Sequence, residues 1–199
     1  VRATDTSSYI TDQTVTIIVD DVEEIKRDWK RIGNTIEGEE AGDSFGITVS
    51  LSSDGSVVAV GAPDNELNGR SSGHVRIYEN NSGSWEKVGN DIHGEWGDTL
   101  GFSVSLSADG SVVAIGAPAN DDNGEGSGTV RIYKNVNGSW VKAGDDIDGE
   151  AKGDFSGEAI SLSADGSVVA IGARNSDIYG SQSGLVRLYR NFNNKWEKI

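Results

Sequence analysis

Trp29, Trp85, Trp140 and Trp196 stand 56, 55 and 56 residues apart, and no other feature constrains the fold as much. The string Asp54-Gly55-Ser56-Val57-Val58-Ala59 recurs from Asp109 and again from Asp165. Between these marks the order is fixed. A Trp segment is followed by Gly-Glu, Gly-Asp, a Ser/Leu alternation, Asp-Gly-Ser-Val-Val-Ala, Gly-Ala, a polar loop and Val-Arg-Ile/Leu-Tyr. A chain that repeats itself at a fixed period is built from stacked copies of one supersecondary unit, because a single copy cannot bury its own apolar face.

Each copy carries four strand signals. Val49 and Leu51 alternate with Ser50 and Ser52, the period-two pattern of a half-buried strand. Asp54-Gly55 is expected to supply the positive-φ residues of a tight hairpin turn. Val57-Val58-Ala59-Val60-Gly61-Ala62 is apolar throughout, which predicts a strand buried on both faces, and its small residues allow a neighbouring sheet close. Polar loops of equal span follow, from Gly61 to Gly73, Gly116 to Gly128 and Gly172 to Gly184. Val75-Arg76-Ile77-Tyr78 alternates again, and a turn at Asn81-Ser82-Gly83 leads to a fourth strand around Trp85. Four short antiparallel strands per repeat define a β-propeller blade. The expected fold is therefore all-β: a partial β-propeller of three four-stranded antiparallel blades, with repeats at about 29–84, 85–139 and 140–195, preceded by an N-terminal β-hairpin.

Charge narrows the partners. Asp and Glu number 32 against 17 Lys and Arg, a formal net charge of −15, which disfavours nucleic acid and direct membrane insertion. Cysteine is absent, so neither a disulfide framework nor a thiolate metal site is available. Val1 opens in what reads as mid-strand, the pattern expected of a processed or excised segment.

Gly42-Asp43-Ser44-Phe45-Gly46 with the later Gly61-Ala62-Pro63 resembles the FG-GAP repeat, the blade unit of integrin α-type propellers. The second copy reads Gly97-Asp98-Thr99-Leu100-Gly101-Phe102 and Gly116-Ala117-Pro118; the third, Gly153-Asp154-Phe155-Ser156-Gly157 and Gly172-Ala173-Arg174, is looser. The Trp-rich variant of the repeat is similar to repeats in large bacterial surface proteins of the Bacteroidetes, a likeness that implies adhesion or scaffolding. Calcium-binding blades of the integrin type carry several acidic residues between their first two strands. Here each copy offers one carboxylate at that place, Asp54, Asp109 or Asp165, too few for the six to eight oxygens calcium takes.

Residues 1–24 do not fit the repeat. Val1-Arg2-Ala3-Thr4-Asp5 and Thr14 to Glu24 read as two strands and resemble the C-terminal piece of a cadherin-like β-sandwich domain, with 25–199 forming the blades. That resemblance implies Asp5, Asp21 and Glu24 as calcium candidates.

Catalytic chemistry finds little footing. His74 and His93 occupy places held in other copies by Thr129 and Leu185, and by Glu37 and Asp148, with no Ser, Cys or further His in a fixed relation. Asp43, Asp98 and Asp154 recur beside glycine, and the expectation is a carboxylate closing a turn on backbone N–H groups. The polar loops are the candidate ligand surface, through Asp64, Asn65, Asn68, Asp177 and Tyr179, with Asn120, Asp121, Asp122 and Asn123 as a candidate calcium loop. The repeated tryptophans, beside Val88, Ile92 and Ile147, are expected to pack between sheets rather than stack on sugars. The expected function is a non-catalytic binding or spacer module of a secreted, cell-surface adhesin. Its expected partners are a protein or glycan on a surface and further blades from the same or another chain. A propeller-type polysaccharide hydrolase or lyase and a structural stalk are the alternatives.

Overall fold

The structure is a computed structural model that describes residues 30–199, within which Ile32–Ile199 form one unit. The cadherin-like reading, with Asp5, Asp21 and Glu24, lies outside the described residues.

Three antiparallel sheets follow one another along the chain. The first comprises β1 (Thr48–Leu51), β2 (Val57–Ala62), β3 (His74–Asn81) and β4 (Ser84–Lys87), in that order, with the two-residue β5 (Ile92–His93) also paired to β3. The second repeats the plan with β6 (Ser103–Leu106), β7 (Val112–Ala117), β8 (Thr129–Val136), β9 (Ser139–Lys142) and β10 (Ile147–Asp148). The third holds β11 (Ala159–Leu162), β12 (Val168–Ala173), β13 (Leu185–Phe192) and β14 (Lys195–Lys198). These are the three blades the repeat predicts. The short strands β5 and β10 were not foreseen, because two residues carry no periodicity. Among the described residues no helix is long and apolar enough to cross a membrane.

Register sorts the side chains of a blade onto two faces. Val49 sits opposite Val60 and Leu51 opposite Val58, so these share one face with Arg76 and Tyr78. Ala59, Val75 and Ile77 occupy the other. The second face of one blade packs on the first face of the next. Ala59, Val75 and Ile77 meet Val104, Leu106, Val113 and Ile115 in one cluster. Ala114, Val130 and Ile132 meet Val169 and Ile171 in the other, with Ile160 and Leu162 packed against it.

Glycine sets the spacing of the blades. A Cβ on Gly61 would lie 2.0 Å from the carbonyl oxygen of Gly101, and one on Gly116 would lie 2.0 Å from that of Gly157. Only a residue without a side chain lets these backbones meet. Polar stitches complete each seam. The N–H of Leu106 donates to Ser50 Oγ and that of Leu162 to Ser105 Oγ. Ser53 N–H donates to the carbonyl of Ala108, and Ala108 N–H to that of Ala164.

The turns differ from expectation in one respect. The two-residue loop with both residues left-handed joins β3 to β4, at Ser82 (φ 53°) and Gly83 (φ 92°). Between β1 and β2 only Gly55 is left-handed (φ 72°), and the connection is the longer Ser52–Ser56. Asp54 closes that loop with its side chain, Oδ1 accepting from Ser52 Oγ, Ser56 N–H and Ser56 Oγ. Those donors hold its carboxyl down at about 2, and the same hydrogen bonds act on Asp109 and Asp165.

Candidate functional site

The polar loops between the second and third strands of each blade, together with the Gly-Asp segments before the first, build one end of the unit. Their side chains are more committed to structure than sequence suggests. Asn65 is buried, its Nδ2 donating to Asp43 Oδ2 at 2.8 Å and its Oδ1 accepting from Leu67 N–H. Asn120 does the same in the second blade, donating to Asp98 Oδ1 at 2.9 Å and accepting from Asp122 N–H. Asn68 and Asn123 reach forward to the carbonyls of Gly94 and Gly149 at 2.8 and 2.7 Å, tying each loop to the next blade. Four of the residues singled out as ligands thus serve as side-chain clasps.

The candidate calcium loop has a similar fate. Asp121 Oδ1 accepts from Gly126 N–H at 2.7 Å, and Asp122 Oδ2 accepts from Asn120 Nδ2 at 3.1 Å. No group of three or more His, Asp or Glu side chains converges as a metal site among the described residues. Asp177 Oδ1 likewise accepts from Gln182 N–H.

Arginines from the Val-Arg-Ile/Leu-Tyr strands anchor this end from beneath, a role the sequence did not disclose because their partners are distant in the chain. Arg131 is buried, with Nη1 2.8 Å from Asp98 Oδ2 and Nε 3.4 Å from Asp146 Oδ2. Burial opposes its charge, but Asp98 and Asp146 more than offset that and raise its pKa. Arg76 pairs with Glu39 and Asp91, and Arg187 with Glu150. Asp91 is partly desolvated, yet hydrogen bonds from Arg76 and Lys87 bring its carboxyl down to about 2.

The third blade departs from this plan. Ser176 replaces Asn65 and Asn120, and both Ser176 Oγ and Asp154 Oδ2 are buried without a hydrogen-bond partner among the described residues. Ser44, Thr99 and Phe155 hold equivalent left-handed positions, at φ 55°, 55° and 52°, a costly conformation for the bulky phenylalanine.

What remains available on this end is apolar. Ile47, Pro63, Phe102, Pro118 and Phe155 line a groove of about 310 Å³, with Asp64 at one side and the Glu158–Arg174 ion pair at another. Beyond it Leu67, Trp96 and Tyr179 are 70, 72 and 85% exposed. Of the residues first singled out, Asp64 lines the groove and Tyr179 stands free on its loop; Trp96 and Phe102 were missed as candidates.

Two of the repeated tryptophans, Trp140 and Trp196, sit elsewhere, at the outer edge of the two seams. Trp140 and Trp196 are half-buried against the two clusters, and their indole N–H groups donate to the carbonyls of Val88 and Ala143. Beside them lie two equivalent crevices. Trp140 lines one of about 290 Å³ with Asp109 and Ser111, and Trp196 lines one of about 260 Å³ with Asp165 and Ser167.

Three stacked antiparallel blades with their loops gathered at one end define a β-propeller-like repeat protein. The family described as FG-GAP repeat matches residues 37–78 and 93–133, so the chain carries FG-GAP repeats in a β-propeller-like fold. No curated protein matches it. Among solved structures, it is similar to a Bacteroides uniformis protein described as a candidate 6-phosphogluconolactonase, at 16% identity and a TM-score of 0.53, covering 81% of this chain and 41% of that one. It is also similar to Sqt1 of Saccharomyces cerevisiae, at 13% identity and a TM-score of 0.53, covering 85% and 38%. The chain spans about two fifths of each, and at these identities the likeness is one of fold.

Proposed function

We propose that this FG-GAP repeat module is a non-catalytic binding element of a secreted, cell-surface adhesin, and that its loop end takes a protein segment on a partner surface. The observation that carries the reading is the contrast within that end. The loop asparagines of the first two blades are fixed in clasps, while an apolar groove and the side chains of Leu67, Trp96 and Tyr179 stand open. Rigid loops presenting exposed aromatics favour binding, since little ordering entropy is lost on contact.

The hydrolase or lyase alternative needs at least two free carboxylates facing a substrate. Asp43 and Asp98 are engaged by Asn65, Asn120 and Arg131, which leaves it with less support. A glycan partner draws on a different feature, the paired tryptophan crevices with their ionised Asp109 and Asp165.

A displayed peptide library and a glycan array, each probed with the wild-type chain and with Trp96→Ala/Phe102→Ser, test the reading. The expected result is peptide binding that the double variant abolishes without changing the melt. Glycan binding indifferent to the double variant would move the site to the crevices. Turnover of a polysaccharide panel would overturn the non-catalytic reading.

A further inference from the structure

The two crevices beside the tryptophans are one site made twice. Trp140, Asp109 and Asn135 line the first, and Trp196, Asp165 and Asn191 take the same places in the second. Their hydrogen-bonding capacity is divided alike. The indole N–H of each tryptophan is spent on a backbone carbonyl, at Val88 or Ala143, so the ring offers a ligand only apolar surface. Each aspartate closes its own turn through Oδ1, while among the described residues Oδ2 accepts from one hydroxyl alone, that of Ser111 or Ser167. Each asparagine uses Oδ1 on the N–H of Gly138 or Asn194, and its Nδ2 donates to nothing among the described residues. A carboxylate oxygen accepts more than one hydrogen bond and an amide nitrogen donates two. Both crevices therefore present a free acceptor and a free donor beside an apolar wall, completed by Ile77 in the first and by Ile132 in the second.

What the two copies share, and the one place where they differ, define the ligand. Volumes of about 290 and 260 Å³ lie just under the ~300–1,000 Å³ of sites for drug-sized molecules, which leaves room for a single small ring. At one rim position the exposed Glu79 of the first crevice is replaced by the exposed Lys134 of the second. A charged ligand would be drawn to one rim and repelled at the other, and the aspartate common to both repels anions. We propose that each crevice binds one ring of a neutral saccharide, its C–H face on the tryptophan and a vicinal pair of hydroxyls shared between the aspartate Oδ2 and the asparagine Nδ2. A hydroxyl both donates and accepts, so one such pair satisfies the carboxylate and the amide together. Two sites on successive seams of one unit favour a polymer over a free sugar, because the second ring binds within reach of the first. Sugar binding here builds on the glycan reading of the crevices and is independent of what the loop end takes.

The experiment is electrophoresis of the 199-residue chain in gels containing a neutral glucan, mannan or galactan, with polygalacturonate as the acidic comparison. Asn135→Asp/Asn191→Asp removes both amide donors and keeps the Oδ1 acceptors that serve Gly138 and Asn194, and its melt checks that the fold is intact. At least one neutral polysaccharide is expected to retard the wild-type chain. The double variant should bind it at least ~10-fold more weakly, with each single variant in between. On the unaltered chain the same polysaccharide should shift the indole N–H resonances of Trp140 and Trp196 and leave that of Trp96 in place, a readout that needs no variant to fold. Peptide binding at the loop end should be unchanged in the double variant, and its absence from the wild type would overturn the loop-end reading alone. Retardation by none of the neutral polysaccharides, full affinity in the folded double variant, or a preference for polygalacturonate would overturn sugar binding at the crevices.

Discussion

The indole N–H of Trp140 donates to the carbonyl of Val88 at 3.1 Å, across the seam between the first and second blades. Gly89 lies under the same ring, where a Cβ would come within 3.1 Å of Trp140 Cδ1. The pair fixes the outer edge of the seam as Gly61 and Gly101 fix its inner edge.

Replacing Trp140 by alanine empties a half-buried aromatic site and is expected to destabilise by about 3 kcal/mol, the low end for such a change. Trp96, exposed on its loop, should cost well under about 1 kcal/mol when truncated. Urea melts of Trp140→Ala and Trp96→Ala decide this; comparable losses would show that the ring does not secure the seam.

Asp98 gives a second expectation. Its removal leaves Arg131 buried with Asp146 at 3.4 Å as its remaining partner, so Asp98→Ala should cost about 3 kcal/mol. Ser176→Asn should act in the opposite direction, supplying to Asp154 the amide that Asn120 gives Asp98, for a gain of about 1 kcal/mol. Chemical denaturation of both variants measures the pair, and a loss with Ser176→Asn would mean that the third loop cannot adopt the geometry of the second.

Acid sensitivity should come from the first blade. His74 is buried against His93, with ring centroids 6.0 Å apart, and beside Phe45, and neither of its ring nitrogens has a partner among the described residues. Burial lowers its pKa below the usual 6.5, Arg76 and His93 push the same way, and Asp91 and Asp43 pull against them. A depressed histidine favours the fold while neutral, so stability is full above the ordinary value and falls as pH drops below it. Urea midpoints at about pH 7.5 and 5.5 should differ more for the wild type than for His74→Thr/His93→Asp, which installs the Thr129–Asp148 pair of the second blade, joined at 2.7 Å. Equal pH dependence would remove the histidines as its source.

Calcium should have little to act on in the loop Asn120–Glu125. With Asp121 and Asp122 turned onto Gly126 and Asn120, thermal melts in chelator and in millimolar calcium are expected to coincide. A shift abolished by Asp121→Asn/Asp122→Asn would show that the loop rearranges to take the ion.

Most of the fold was legible because its causes are local and tripled. The alternation of Val49 and Leu51, the unbroken apolar run from Val57 to Ala62 and the tryptophan spacing each state one strand, and repetition removes the ambiguity of any single copy. The site was less legible because side-chain commitments are not local. Asn65 looks like a loop ligand until Asp43, 22 positions away in sequence, occupies its amide. Arg131 looks like a strand residue until the fold brings Asp98 to it from 33 positions away. The hairpin at Asp54-Gly55 formed as read, but with only Gly55 left-handed: the aspartate closes the turn with its carboxylate, which dihedral preferences do not encode.

The line of hydrogen bonds from Ser53 to Ala108 to Ala164 gives the unit a polarity. Ser53 and Ala108 donate their N–H groups forward to the carbonyls of Ala108 and Ala164, so the two ends of the row are chemically different. Under tension between the chain ends, the bonds within a blade part strand by strand, whereas a whole blade can leave only by shearing its tryptophan, its serine stitch and its glycine contact together. Among the described residues the middle blade is held at two such seams, so of the three it should be the last to let go.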